Sequence, residues 1–288
     1  MEDKITFKYG DMTLSGVLHT PEGASGKLPA IMVLHGFGSN KESGNVHGPV
    51  KMLNEWGYAA FRFDMPGCGE SDGEFGRVIC QEQVEATQAA LTYLQTRDEL
   101  DPDRIGVLGS SFGAAVAIYV GGVDKRIACV VSSGGWGHGE RKFRGQHPTK
   151  EGWLKFTRML EEGRRHRERT GESLMVDRYD IVPIPEHLRN NLSQHSVEQF
   201  PSEVAQSMYN FTAEDVVSDI SPRPLLLLHS SDDSVTPTEQ SVAMFRKAGQ
   251  PTDMHLFAET DHFMFAENNT RVREIIKSWL DKFFPVAG

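Results

Sequence analysis

The chain has 288 residues, of which 39% are hydrophobic, 24% charged and 9% aromatic. This is the composition of an ordinary globular protein, which excludes disordered, collagen-like and fibrous chains. Its 30 basic and 40 acidic residues give a net charge of −10, which would repel both a nucleic-acid backbone and an anionic membrane surface. We therefore expect neither nucleic acid nor a membrane as a partner.

The cysteines and the first residues bear on the cellular compartment. The three cysteines, Cys68, Cys80 and Cys129, are odd in number and widely spaced, which suits neither a disulfide framework nor a C-x-x-C pair. Acidic residues stand at the start of the chain, where a secretory signal has a basic segment followed by an apolar one. No apolar run reaches the roughly 18 residues of a membrane span. We expect a cytoplasmic protein.

Short apolar runs predict the strands of a sheet. Residues 5–9 and 12–18 alternate in polarity on either side of Gly10 and Asp11, which predicts an antiparallel hairpin. Later runs are continuously apolar, as in strands buried on both faces of a parallel sheet. They are residues 30–34, 58–63, 105–108, 127–131 and 225–228.

Helical patterns lie between these runs. Apolar residues recur at steps of three and four in residues 80–94 and 272–283, which is the spacing of an amphipathic helix. Strands that alternate with helices predict an α/β fold with a mostly parallel sheet flanked by helices.

One stretch interrupts this alternation. Residues 136–219 contain no strong strand pattern and are divided by four prolines. This stretch is too long for a connecting loop, and it predicts an inserted subdomain or a mobile lid. The chain would then consist of a core, residues 1–135 and 220–288, and an inserted cap, residues 136–219.

Part of this stretch is strongly basic. Residues 141–169 carry ten Lys and Arg but only four Glu, a local charge of +6 in an acidic protein. Charge runs are usually solvated helix faces whose charges pair with neighbouring acids, which is the expectation here. The alternative is a cap that attracts anions to a pocket beneath it.

The candidate nucleophile is Ser111. Residues 109–113 read Gly-Ser-Ser-Phe-Gly and match the pattern G-x-S-x-G. The match lies between the apolar run 104–108 and the small-residue run 114–118, which is the strand, sharp turn and helix that the motif requires. The flanking glycines allow other chain segments to approach closely. Ser111 would then lie at the carboxyl edge of the sheet, with the positive end of a helix behind it.

A serine nucleophile needs a base, and the base needs an acid that orients it. Two acid candidates, Asp232 and Asp233, follow the apolar run 224–228, and at least one of them is expected to form a turn. The candidate base, His262, follows the run 254–257. Because all three groups lie just past the ends of predicted strands, they are expected at the same edge of the sheet.

Acyl transfer also produces a negatively charged oxygen that must be bound by N–H donors. Residues 35–38 read His-Gly-Phe-Gly and follow the predicted strand 30–34, so this tight turn can supply the amide of Phe37. The second donor is expected to be the amide of Phe112, directly after the nucleophile.

Aromatic residues of the insert are candidates for binding substrate. Trp136 follows the run 127–131 and is expected to enter the site from the edge of the sheet. Trp153 recurs with Phe156 and Met159 at steps of three and could form the inner face of the cap. The alternative is that these residues pack only against one another as the core of a subdomain.

These motifs resemble those of the α/β-hydrolase superfamily, and within it the small intracellular esterases of the feruloyl and cinnamoyl type. The resemblance covers residues 1–135 and 220–288, including the sequence Arg-Phe-Asp-Met-Pro-Gly-Cys-Gly-Glu-Ser-Asp-Gly at 62–73. It implies the α/β-hydrolase fold, an eight-stranded, mostly parallel sheet with an inserted cap. In that family the acid stands four residues before the proline of its loop, which implies Asp233 instead of Asp232.

The predicted function is that of a serine hydrolase acting on carboxylic esters through an acyl-enzyme. Ser111 attacks the carbonyl, His262 takes its proton and later activates water, and Asp233 holds the imidazole. This chemistry needs no cofactor or metal, its partner is a small-molecule ester, and a homodimer is possible. The alternatives are the same triad acting on thioester, amide, lactone or carbon–carbon bonds, acyl transfer to an alcohol, or a hydrolase fold that only binds small molecules.

Overall fold

The computed structural model describes residues 1–265 and 269–286. A mixed sheet of eight strands forms its centre, in the order β1-β2-β4-β3-β5-β6-β9-β10. The strands of the chain are β1 (Glu2–Tyr9), β2 (Met12–His19), β3 (Leu28–Leu34), β4 (Ala59–Phe63), β5 (Leu100–Ser110), β6 (Ile127–Ser133), β7 (Met175–Asp177), β8 (Gln199–Pro201), β9 (Leu225–Ser230) and β10 (Thr252–Phe257).

The pairing confirms the predicted mostly parallel sheet. Strands β1 and β2 form the antiparallel hairpin, with Tyr9 opposite Met12 across the two-residue turn. Strand β2 runs antiparallel to β4, and the neighbours from β4 to β10 are parallel. The carboxyl ends of β3, β5, β9 and β10 therefore meet at one edge of the sheet.

Helices cover both faces of the sheet. They are α1 (Gly44–Glu55), α2 (Cys80–Leu94), α3 (Phe112–Val123), α4 (Gly139–Gln146), α5 (Lys150–Thr170), α6 (Arg178–Ile181), α7 (Ser202–Asn210), α8 (Glu239–Lys247) and α9 (Thr270–Phe283). The helices predicted at residues 80–94 and 272–283 are α2 and α9. In the described part of the chain, no helix combines the length and the apolar character needed to cross a bilayer.

Successive side chains of the central strands point to opposite faces of the sheet, so the core has two layers. In β3, which is buried throughout, Met32 packs on the side of α2 and α3, whereas Ile31 and Val33 pack on the side of α1 and α9. This is the pattern of a strand buried on both faces, which the continuous apolar run predicted.

The insert, residues 136–219, lies between β6 and β9 and contains α4 to α7. No strand pattern was expected here, but β7 and β8 form a two-stranded antiparallel pair. Strands of three residues are too short to produce a detectable period in the sequence. Apolar side chains of the insert, among them Phe143, Phe156 and Phe200, belong to the same buried cluster as one face of the sheet.

The basic run of the insert lies on α4 and α5 and is extensively ion-paired. Glu161 pairs with both Arg164 and Arg165, and Arg141 pairs with Glu214. These contacts agree with a solvated face whose charges are matched by neighbouring acids.

Lys142 differs from the rest of this run because it is only 2% exposed. Its Nζ has no hydrogen-bond partner among the described residues and lies 4.0 Å from the ring centroid of Phe143 and 4.6 Å from that of Trp136. Burial lowers the pKa of Lys142 to about 7. At neutral pH this side chain is therefore only partly charged.

We predict that Lys142→Met raises the melting temperature and flattens its dependence on pH. The unfolded chain holds this proton up to a pH of about 10.4, whereas the folded protein releases it near 7, so native stability should rise with pH between these values. An unpaired buried polar group costs about 1–3 kcal/mol, equivalent to several degrees.

Thermal unfolding between pH 6 and 10 measures this effect. Lys155→Met is the matched control, because Lys155 is exposed and pairs with Asp180. A Lys142→Met protein with the native slope of melting temperature against pH would contradict the prediction.

Candidate active site

Ser111 lies in the sharp turn between β5 and α3. Its backbone has φ 55° and ψ −113°, which is strained for a residue other than glycine. Its amide donates a 2.8 Å hydrogen bond to the carbonyl of Ser133 at the end of β6. A Cβ at Gly109 would lie 2.0 Å from the carbonyl oxygen of Gly113, and one at Gly113 would lie 2.6 Å from that of His35. The turn therefore requires glycine on both sides of the serine.

Three loops at the carboxyl edge of the sheet bring Ser111, His262 and Asp233 together. The Nε2 of His262 lies 2.8 Å from Ser111 Oγ, and its Nδ1 lies 2.8 and 3.1 Å from the carboxylate oxygens of Asp233. A carboxylate can only accept, so neutral His262 carries its proton on Nδ1 and leaves Nε2 free to accept from the serine hydroxyl.

Asp233, and not Asp232, is the acid that reaches the histidine. Its Oδ1 also accepts hydrogen bonds from the amides of Val235 and Thr236, at 2.8 and 2.7 Å. Burial alone would raise the pKa of Asp233, but the adjacent His262 and His229 outweigh it and hold this pKa well below its usual range. Asp232 is exposed.

His229 supports this acid, and the sequence analysis did not single it out. It is fully buried, with Nε2 2.9 Å from the carbonyl oxygen of Thr236 and 3.3 Å from Asp233 Oδ2. Nε2 therefore donates, and Nδ1 accepts from the hydroxyl of Ser241 at 2.7 Å. The signal that could have found it is a histidine at the end of a buried strand, four residues before the acid.

The expected oxyanion donors flank the nucleophile. Phe112 is the first residue of α3, so its amide has no partner within the helix. The loop of Phe37 is held at its start by His35, which accepts from the Met65 amide at 3.1 Å through Nε2 and donates to the Gly36 carbonyl through Nδ1. Burial lowers the pKa of His35, which keeps this imidazole neutral.

Arg178 of the insert holds the same loop from the other side. Its guanidinium donates to the carbonyls of Phe37 at 2.9 Å, Gly38 at 3.0 Å and Val197 at 2.8 Å. Phe37 also stacks on Phe200, with ring centroids 4.2 Å apart. Arg178 is 3% exposed, and burial lowers its pKa to about 10, so it remains a cation at neutral pH. No pattern in the sequence distinguishes it from the other arginines of the insert.

A narrow cavity lies over Ser111 between the edge of the sheet and the insert. Water-sized spheres can occupy about 50 Å³ of it. Because one water needs roughly 10–15 Å³ by this measure, the cavity accepts a few waters or a slender chain. Besides Ser111, His262, Phe37 and Arg178, its lining includes Ser39, Ser43, Asn45, Val182, Ile184, Asn191, Leu192, Met264 and Phe265.

The structure corrects the expectation that Trp136 and Trp153 line this cavity. Trp136 is 1% exposed and packs against Phe112 behind the nucleophile, with ring centroids 5.6 Å apart. Trp153 lies on α5 near Phe156, with the Arg144 guanidinium 4.2 Å from its ring centroid. The spacing of apolar residues shows which face of a helix is buried, but it does not show what covers that face.

Comparisons with known proteins agree with this fold. The model of the family described as serine aminopeptidase, S33, matches residues 27–269. The chain belongs to this family of α/β-hydrolases. A relative, acyltransferase drtE of Aspergillus calidoustus, is 25% identical and covers 99% of this chain and 95% of its own length.

Two solved structures have the same fold. Hypothetical protein PA2218 of Pseudomonas aeruginosa superposes with a TM-score of 0.84 at 21% identity, covering 99% of this chain and 94% of its own. Est1E of Butyrivibrio proteoclasticus, solved with ferulic acid bound, has a TM-score of 0.69 at 20% identity, covering 97% and 98%. The predicted α/β-hydrolase fold and the resemblance to this superfamily are confirmed.

We predict that Asp233→Asn lowers kcat for a chromogenic ester by about 10⁴-fold, because an amide in that place disturbs the tautomer and the charge of the histidine. Asp232→Asn is the matched control and should retain kcat near the native value. Steady-state measurement of kcat for both variants tests this prediction. Equal losses would contradict the assignment of Asp233.

We also predict that Arg178→Met lowers kcat by up to about 10²-fold, because it releases the loop that carries the Phe37 amide, which we expect to be an oxyanion donor. The loss should fall mainly on kcat, with a smaller change in KM, and Arg178→Lys should restore part of it. Arg189→Met is the control, since Arg189 also lies in the insert and donates to a carbonyl, that of Ile184. A loss confined to KM would contradict this role.

Proposed function

We propose that this chain is a serine hydrolase that cleaves carboxylic esters through an acyl-enzyme. The observation that carries the proposal is the continuous hydrogen-bonded series from Asp233 through His262 to Ser111, with both links at 2.8 Å. Its last member faces a cavity that a substrate can occupy.

In the proposed reaction Ser111 Oγ attacks the ester carbonyl while His262 Nε2 takes its proton. The oxyanion of the tetrahedral intermediate lies against the amides of Phe37 and Phe112, and Asp233 stabilises the imidazolium. Collapse of the intermediate expels the alcohol, which receives the proton from His262. Water, activated by the same histidine, then attacks the acyl-enzyme and releases the acid.

The charges around the cavity support an ester over a peptide with a free amino terminus. Binding an ammonium group calls for a carboxylate nearby, yet no Asp or Glu lines the cavity among the described residues. The cationic Arg178 lines it instead and would repel an ammonium group.

We also propose that the insert acts as the cap of this site. Its residues Val182, Ile184 and Leu192 form an apolar wall opposite the sheet, so they would select the shape of the substrate. The basic run, residues 141–169, contributes no side chain to this wall among the described residues, which disfavours the anion-attracting cap.

Acyl transfer to an alcohol is the second candidate, because the relative drtE is named an acyltransferase and aligns with 99% of this chain. Both reactions share the acyl-enzyme and differ in the acceptor. Product analysis with an ester and a graded concentration of a second alcohol separates them, since a transferase forms the new ester at alcohol concentrations far below that of water.

Labelling by a fluorophosphonate tests the proposed nucleophile. Native protein should be labelled on Ser111, as identified by peptide mass spectrometry, and Ser111→Ala should not be labelled. Ser110→Ala is the matched control and should still be labelled. Ser111→Ala and His262→Ala should each lower kcat by about 10⁶-fold, with the double variant little worse, because the residues act as a unit. Retention of a tenth of the activity in Ser111→Ala would overturn the proposal.

A further inference from the structure

Ser43 and Asn45 are two of the three buried polar side chains of the cavity that lack a hydrogen-bond partner among the described residues; the third is Ser110, next to Ser111. Ser43 and Asn45, at the start of α1, are 3% and 8% exposed and line the same cavity as Ser111. Neither Ser43 Oγ nor Asn45 Oδ1 has a hydrogen-bond partner within residues 1–265 and 269–286. Buried polar atoms are usually paired, so each such exception calls for a physical explanation.

The local structure does not use these atoms. Ser43 occupies the cap position of α1, where serine usually accepts a hydrogen bond from the first turn, but its side chain makes no such bond. Its backbone carbonyl accepts from the amides of Val46 and His47 at 2.9 Å. The hydroxyl is therefore available to a molecule in the cavity.

The rest of the lining limits what that molecule can be. Val182, Ile184, Leu192, Met264 and Phe265 present apolar surface, and the narrow space suits a slender chain. A ligand that satisfies both this wall and the two polar side chains is an aliphatic chain bearing one polar group.

The donor and acceptor properties of the two side chains favour a hydroxyl as the polar group. Asn45 Oδ1 can only accept, its amide nitrogen can only donate, and the Ser43 hydroxyl can do both. A hydroxyl can donate to the amide oxygen or accept from the amide nitrogen, so it fits whichever way the amide is turned. A carboxylate or a carbonyl could not donate to Oδ1.

We propose that Ser43 and Asn45 form a subsite for a hydroxyl group on an aliphatic chain of the substrate. This assignment rests on the proposed ester hydrolysis and adds the substrate class to it. Such a hydroxyl can donate to Asn45 Oδ1 and accept from the Ser43 hydroxyl, so it supplies both side chains with the partner that they lack among the described residues.

Binding to the Ser111→Ala protein tests the subsite without turnover. The probes are methyl octanoate and its relatives with a hydroxyl at carbon 6, 7 or 8, together with octyl acetate and the equivalent hydroxyoctyl acetates. At least one hydroxylated probe should bind about tenfold more tightly than its parent. The ratio of the two affinities should fall towards one when Ser43→Ala or Asn45→Leu is added.

Ser39→Ala is the matched control. Ser39 also lines the cavity, but its hydroxyl already lies 3.0 Å from Ser193 Oγ, so the preference for the hydroxylated probe should remain. The melting temperature of Ser43→Ala supplies a second measurement. It should not fall, because the substitution removes no hydrogen bond within residues 1–265 and 269–286.

Several outcomes would overturn the subsite. One is that every hydroxylated probe binds as tightly as its parent, and another is that neither binds. A third is that Ser43→Ala lowers the melting temperature but still binds the hydroxylated probe more tightly than the parent. Failure of the proposed function is distinguished by the fluorophosphonate experiment. Labelled Ser111 without a preference overturns only the subsite, and unlabelled Ser111 overturns the proposed function whatever the probes show.

Discussion

The close approach of three backbone segments around Ser111 is the constraint on which the rest of the site depends. Ser111 keeps its positive φ through its hydrogen bond to Ser133 and through close backbone packing at Gly109 and Gly113. A side chain at either glycine would collide with neighbouring backbone atoms. Gly113 contacts the carbonyls of Leu34 and His35, so the nucleophile turn and the loop of Phe37 form one unit. A displacement of either would move Ser111 and the Phe37 amide together.

The insert takes part in this unit through Arg178. A buried guanidinium without a carboxylate partner among the described residues is costly, and here three backbone carbonyls replace the water that it has lost. Two of these carbonyls belong to the loop that carries the Phe37 amide. The same side chain lines the cavity, so the wall of the cavity and the position of the Phe37 amide are coupled through one residue.

Unpaired buried polar groups differ in their surroundings, as Lys142 and the pair Ser43 and Asn45 show. Lys142 lies between aromatic rings, away from the cavity over Ser111, where an unpaired amine is expected to lower stability. Ser43 and Asn45 lie in the cavity itself, where a ligand can pair with them. Sites that bind ligands often retain such destabilising groups because stability and function are selected separately.

Much of the fold and of the site could be predicted because they depend on local patterns. Continuous apolar runs identified the parallel strands, and the ends of those strands placed Ser111, Asp233 and His262 at one edge. The glycines beside Ser111 predicted the sharp turn, because only a residue without a side chain fits at these two positions. From the residues alone Asp232 and Asp233 remained equivalent, and only the resemblance to a known family separated them.

The tertiary structure decided which side chains face the cavity. Trp136 and Trp153 had the right residue type, but Trp136 lies in the core, Trp153 is partly buried against it, and neither lines the cavity. Arg178, His229, Ser43 and Asn45 belong to the site without a sequence signal strong enough to single them out. The physical reason is that periodicity and motifs report contacts within one element. The surroundings of a side chain depend on elements distant in sequence, and these meet only when the chain has folded.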